Sequence, residues 1–284
     1  MTIQPVTPIP RTSTTALLSA FIKSACWDER TSMSFANPSA TIITTPSFTY
    51  HYQKGAKFTH IFIYDHIGAE EDMQGDLAGI LEGLGKGVKV WVDGGVASPH
   101  ATPSILEQAG FTKREFTHTD VARLLEMVDT HGTTIAPTSI PPPEGVTIHE
   151  ITSSTDPRFA ARCDIESDVF VYIPTHASHL PAALAEMTDR YGDYHLLATA
   201  GEETVAYMTL RVHRGVAYLQ GSGVAEAWRK KGITKALLAR TVTKAVELGF
   251  EVMLTAGCDD DAVGAWTAMG FKEVYTYSTW EIQL

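Results

Sequence analysis

The chain is 284 residues long, 44% hydrophobic and 19% charged, which describes a globular protein rather than a disordered one and leaves room for two domains of ordinary size. A formal net charge of -11 excludes a nucleic-acid partner held by a broad positive face. Three distant cysteines, Cys26, Cys163 and Cys258, exclude a disulfide framework and a clustered zinc site and fit a reducing compartment.

The first residues, MTIQPVTPIPRTST, lack the charged start and apolar run of a signal peptide, and no stretch reaches the length of a membrane span. A cytoplasmic protein with no membrane partner is expected. Leu17, Leu18, Phe21, Ile22 and Ala25 fall at helical spacing within 14–27. Strands are expected at 40–45, 48–52 and 60–64, where β-branched and aromatic residues are punctuated by Pro46-Ser47 and Lys54-Gly55-Ala56-Lys57. A helix over 70–84, a strand over 88–92 and a short helix over 102–109 follow, closing on Gly110-Phe111.

Pro141-Pro142-Pro143 cannot continue a helix or a central strand and stiffens an extended linker. This places a boundary between a domain of residues 1–138 and one of residues 139–284. The second domain opens with a strand at 146–151 and helices at 156–168 and 180–191. A meander over 194–199, 204–213 and 216–224 comes next. A helix over 231–248, a strand over 250–256, and a hairpin of 272–277 with 279–283 complete it. The order of strands, long helix, strand, short helix and Gly-Phe therefore occurs twice.

Between strand 216–224 and the helix lies Arg229-Lys230-Lys231-Gly232-Ile233-Thr234. Unpaired N–H groups and the positive dipole end of the helix favour an anion there, and Gly232 lets it approach the backbone. A lone basic triplet is ordinarily a solvated loop. Strand before, helix after and a second signature downstream, Asp259-Asp260-Asp261-Ala262 running through Trp266 to Gly270-Phe271, decide for anion binding. The first half carries Asp65, Glu70, Glu71 and Asp72 in the corresponding place, which support a helix start and repel a phosphate.

These two stretches resemble the GNAT superfamily of acetyl-CoA-dependent N-acyltransferases, whose pyrophosphate loop reads Arg/Gln-x-x-Gly-x-Gly/Ala. The duplication is similar to the tandem GNAT proteins with a degenerate amino-terminal copy. The resemblance implies an α/β (α+β) fold of two tandem domains, each a mixed, mostly antiparallel sheet flanked by helices. It also implies acetyl-CoA or another acyl-CoA as co-substrate, no metal, and a small-molecule amine as acceptor. Pantetheine would lie as an added strand in the opening between strands 216–224 and 250–256. Ser222, Gly223 and Val224 would pair with it there, and Arg229, Lys230, Lys231, Gly232, Ile233 and Thr234 would hold the pyrophosphate. Asp259 stands in the place of the family's pantetheine-side Asn, and an Asp at a helix start is equally a plain N-cap. Trp266 takes the place of the family's tyrosine acid, and an indole N–H donates hydrogen bonds without giving up a proton at neutral pH.

Tyr218, Gln220 and Ser222 alternate along one strand and so are expected on one face. Tyr218 and Ser222 are the candidate catalytic residues, with Tyr218 as acid or water-orienting group against the simpler reading of a half-buried aromatic. His176 and His179 are placed better for a base than His213, which sits at a turn. Ser222 lacks the Gly-x-Ser-x-Gly elbow of a covalent hydrolase. The leading function is an N-acyltransferase, and the alternative is a CoA-binding regulatory or scaffolding protein whose catalysis has decayed.

Overall fold

The strand-forming runs of the first half give β1 (Ala40–Thr44), β2 (Thr49–Gln53) and β3 (Phe58–Phe62). The computed structural model describes residues 7–10, 20, 40–45, 49–53, 58–62, 70–93, 101–113, 121–127, 139–170, 174–257 and 260–284. The helix expected over 14–27 lies outside these residues apart from Ala20, as do Asp65 and Asp259. Next come α1 (Glu70–Leu84), β4 (Lys89–Asp93), α2 (Ala101–Gln108), the short β5 (Thr112–Lys113) and β6 (Val121–Met127).

The second half follows with β7 (Val146–Ile151), α3 (Phe159–Phe170), α4 (Pro174–Glu186), β8 (Tyr194–Ala200), β9 (Glu203–His213) and β10 (Val216–Val224). It ends in α5 (Ile233–Glu247), β11 (Met253–Gly257), α6 (Asp260–Ala268) and β12 (Phe271–Gln283). The strands join in the order β1-β2-β3-β4-β12-β6-β11-β10-β9-β8-β7, with β5 beside β12. The fold is α/β, with mixed and mostly antiparallel pairing flanked by helices.

The expected terminal hairpin is instead the single strand β12. Ser278-Thr279 offers no glycine, proline or asparagine to turn on. Residues on either side of that point find partners in different halves of the chain. Phe271 to Ser278 pair with β6, and Thr279 to Gln283 pair with β4. β6 itself, VARLLEM, lacks period-two alternation and has no clear sequence signal, yet it pairs with both β11 and β12.

The helices of the second half start where their caps allow. Asp156, expected inside a helix, accepts the Arg158 N–H at 2.9 Å, and α3 begins only at Phe159. α4 begins at Pro174, earlier than expected, because proline is accommodated in a first turn. It runs into a π-helical turn at Met187–Tyr191, ended by Gly192 in the left-handed region. α5 starts at Ile233 rather than 231, since Gly232 takes φ 85° as its N-cap.

Three apolar clusters hold these layers. One packs Ala206, Met208, Leu210, Ala217 and Leu219 of the sheet against Ile233, Leu237 and Val242 of α5. On the opposite face, Phe159, Cys163 and Ile165 of α3 and Leu180 and Leu184 of α4 meet Leu197 and Tyr207. In the first half, Ile61, Val90 and Val92 pack against Met73, Leu77, Ile105 and Leu106. Burying each such side chain contributes roughly 1.5–3 kcal/mol.

Candidate functional site

The site begins where two parallel strands part. β10 and β11 pair only at Tyr218 with Leu254 and Leu219 with Thr255. Beyond Leu219, β10 keeps its partner β9 on one side, and its other edge opens. A bulge marks the same point: Leu219 lies opposite Leu210 and Gly221 opposite Thr209, leaving Gln220 as the extra residue. One inserted residue bends the strand and reverses the facing of everything after it.

That reversal corrects the expected common face of Tyr218, Gln220 and Ser222. Tyr218 lies opposite Arg211 and Ser222 opposite Met208. Arg211 belongs to the α3/α4 side of the sheet and Met208 to the α5 side, so Tyr218 and Ser222 face opposite ways. Tyr218 is 1% exposed, and its hydroxyl accepts from Arg211 Nη1 at 3.0 Å.

A cleft of about 300 Å³ lies beside the open part of β10, lined by Val169, Tyr207, Ser222, Gly223, Val224, Arg229, Thr234 and Leu237. Five of these residues, Ser222, Gly223, Val224, Arg229 and Thr234, were expected from the sequence. Val169, Tyr207 and Leu237 were not. The signal that could have found Tyr207 is the Gly221-Ser222-Gly223 alternation, which leaves room on one face for a large neighbour.

At the cleft's mouth, the first-turn N–H groups of α5 lack intrahelical acceptors, and no side chain caps them. The basic loop divides its tasks. Arg229 borders the cleft and donates from Nε to the Val224 carbonyl at 3.3 Å. Lys230 holds φ 63°, a left-handed conformation that a lysine adopts only at a cost of order 1 kcal/mol. Lys231 places its ammonium 4.2 Å from the centre of the Trp228 ring, and the Trp228 indole N–H donates to Glu203 at 3.1 Å. Ile233 turns its side chain into the core, leaving its backbone as the part available at the helix start.

Trp266 is 9% exposed and packs edge-on against Phe271, with ring centroids 5.4 Å apart, within the α5-side core. It does not line the cleft. His213 leans on Tyr191 at 4.5 Å between centroids. His179 is half-buried on α4, and the side chain of His176 lies outside the described residues. Burial pushes the Cys163 thiol up to about 11, which leaves it inert as a nucleophile.

A buried charged layer lies under β9 on the α3/α4 side. Arg211 and Asp193, both 0% exposed, form a two-point pair at 2.5 and 2.6 Å. Beside it, Arg162 pairs with Glu166 at 2.5 Å and donates to Thr209 at 2.9 Å and to His195 Nδ1 at 3.1 Å. Thr188 gives its proton to the Leu184 carbonyl at 2.6 Å, so it can only accept from His195 Nε2 at 2.8 Å. This assigns a neutral ring with its proton on Nε2. Burial first, then the Arg162 and Arg211 charges, hold the His195 pKa well below its ordinary value.

Among the described residues, no cluster of three or more His, Cys, Asp or Glu could hold a metal, and no helix is long and apolar enough to cross a membrane. Residues 161–271 match the acetyltransferase (GNAT) family. A search of the curated proteins finds no match. Among solved structures, a tandem GNAT protein from the clavulanic acid biosynthesis pathway superposes with a TM-score of 0.67 at 12% identity, over 98% of this chain and 97% of that one. A GCN5-related N-acetyltransferase from Kribbella flavida gives 0.61 at 14% identity, over 93% and 95%. Another from Sphaerobacter thermophilus gives 0.59 at 14%, over 98% and 94%. The chain has the fold of the tandem GNAT structures, and residues 161–271 are the segment that matches the acetyltransferase (GNAT) family.

Proposed function

We propose that this protein is an acyl-CoA-dependent N-acyltransferase that moves an acyl group, in the first instance acetyl, onto the amine of a small molecule by direct attack in a ternary complex. The observation that carries the reading is the parting of β10 and β11 after Leu219, with the uncapped start of α5 at its mouth. Pantetheine pairs along the open edge at Ser222, Gly223 and Val224. The pyrophosphate sits on the first-turn N–H groups past Gly232, with Arg229 beside it and Lys230 and Lys231 supplying charge around it. The amine nitrogen attacks the thioester carbonyl, a β10 N–H steadies the oxyanion, the C–S bond breaks, and amide and CoA thiolate leave.

The described cleft lining holds no carboxylate or imidazole. The amine therefore arrives neutral, its nitrogen releases one proton to water as the amide forms, and the thiolate takes one from water or through a hydroxyl such as that of Ser222. Tyr218, engaged by Arg211, supports the bulge from behind rather than meeting the thioester. Residues 139–284 form the binding domain, and residues 1–138 support it in a cytoplasmic protein.

Trp266 in the core and a lining without an acid or base favour a second reading, a CoA-binding regulatory or scaffolding protein. Calorimetry with CoA, followed by thiol release from acetyl-CoA over an amine panel, separates the two. Binding with turnover supports the enzyme and binding without turnover the second reading. No CoA binding at all sinks both.

A further inference from the structure

Beside the open edge of β10, the cleft is walled by side chains that leave little room. At the vertex, Leu219 and Thr255 are paired and close the gap between the strands. On the α5 face stands Leu237. On the α3 face, a Cβ placed on Gly223 would lie 2.8 Å from Val169 Cγ1 and 2.9 Å from Tyr207 Cε1, while one on Gly221 would lie 3.3 Å from the Tyr207 hydroxyl. The space at Gly223 is thus already taken by Tyr207 and Val169, and that at Gly221 is tight against Tyr207. Real Cβ atoms do not approach carbon so closely, and well-packed interiors do not yield such space without strain.

Tyr207 cannot swing aside to make room. The Arg162 guanidinium sits 4.3 Å from its ring centre and is itself held by Glu166, Thr209 and His195. The cleft's 300 Å³ is also at the lower end of the range for small-molecule pockets, roughly 300–1,000 Å³, and the pantetheine arm must occupy much of it.

We infer that Val169 and Tyr207 set the acyl length, so that this chain takes acetyl and propionyl donors and rejects butyryl and longer ones. The inference rests on the acyl-CoA reading above. Val169 is the adjustable part of the wall: it is half-buried near the end of α3, whereas Tyr207 is fixed.

The test is a set of titrations of the full chain with CoA, acetyl-, propionyl-, butyryl- and hexanoyl-CoA, each affinity expressed relative to that of CoA in the same variant. In the native chain the relative affinity should fall about tenfold or more between propionyl- and butyryl-CoA, the usual minimum for one methylene too many in a fitted pocket. Val169→Ala should recover most of that loss. Val169→Leu, which adds volume instead of removing it and guards against a misfolded Ala variant, should move the break to between acetyl- and propionyl-CoA. A native chain that binds hexanoyl-CoA as tightly as acetyl-CoA, or a break that stays put in both variants, overturns the inference while the acyl-CoA reading stands. Failure of the native chain to bind CoA overturns that reading and the inference with it.

Discussion

The two halves of the chain run through the same succession and end it differently. α1 and α5 are both 15 residues long, each leads into a strand parallel to the one before the helix, and each series closes on Gly-Phe with the glycine at φ 86° or 101°. In the first half, β3 and β4 stay paired through all five residues from Phe58–Lys89 to Phe62–Asp93. In the second, β10 and β11 pair for two and then part. The difference lies in the strand: FTHIF has no bulge and no glycine, whereas β10 carries the Gln220 bulge with Gly221 and Gly223 behind it. Where the strands stay zipped there is no free edge for an added strand. The supporting layers differ too, since among the described residues the buried charged side chains Arg162, Asp193 and Arg211 all lie in the second half, beside the open strand pair.

Removing one of those charges should have the largest effect. Asp193→Ala would leave Arg211 buried and unpaired, at a cost of about 3–5 kcal/mol. The exposed Arg240–Glu150 pair, with side chains 51% and 46% exposed, should be worth at most about 1 kcal/mol. Denaturant unfolding of Asp193→Ala and Glu150→Ala compares them directly. Similar losses for both would remove the charged layer from any account of why the halves differ.

Next in size is the proposed anion site. Arg229→Glu should weaken CoA by about a hundredfold, roughly 2.7 kcal/mol. Lys231→Glu should cost less, about tenfold, because Lys231 already lies on the Trp228 ring. Calorimetry should find one site per chain. Two sites, or one that survives Arg229→Glu unchanged, would break the contrast between an open and a closed strand pair.

A smaller effect comes from His195. Its folded pKa is depressed, so below about 6.5 the unfolded chain binds the proton that the folded chain refuses. Stability therefore falls as pH drops below that value, by up to about 1.4 kcal/mol per pH unit for one proton. Thermal melts from pH 8 to 5 should show the decline, and His195→Gln should flatten it. Parallel curves for the two proteins would mean that His195 is not what titrates.

Most of this fold was legible because its signals are local. The basic turn before an apolar helix and the twofold succession of elements both sit in short windows. What escaped depends on partners far away in sequence. β6 owes its strand to β11 and β12, and β12 stays unbroken because β4 and β6 take up its two ends. The bulge at Gln220 shows only in register against β9, and it decides that Tyr218 and Ser222 face apart. Val169, Tyr207 and Leu237 look like ordinary core residues until the strands part beside them.

The smallest expected effect concerns Trp266. By resemblance it takes the place of the GNAT tyrosine acid, but its ring packs on Phe271 inside the α5-side core, on the short helix that has its counterpart, α2, in the first half. That is a packing role, the same kind of role Leu106 plays in the first-half cluster. Trp266→Phe keeps an aromatic ring and loses part of the buried area, so stability should drop by about 1–2 kcal/mol. Single-turnover acyl transfer at saturating acetyl-CoA should stay within about threefold, because no proton donor is removed. A selective fall of about a hundredfold in that rate, at unchanged CoA affinity and modest loss of stability, would instead put Trp266 at the reacting atoms. The second half would then differ from the first in its last helix as well as in its opened strand.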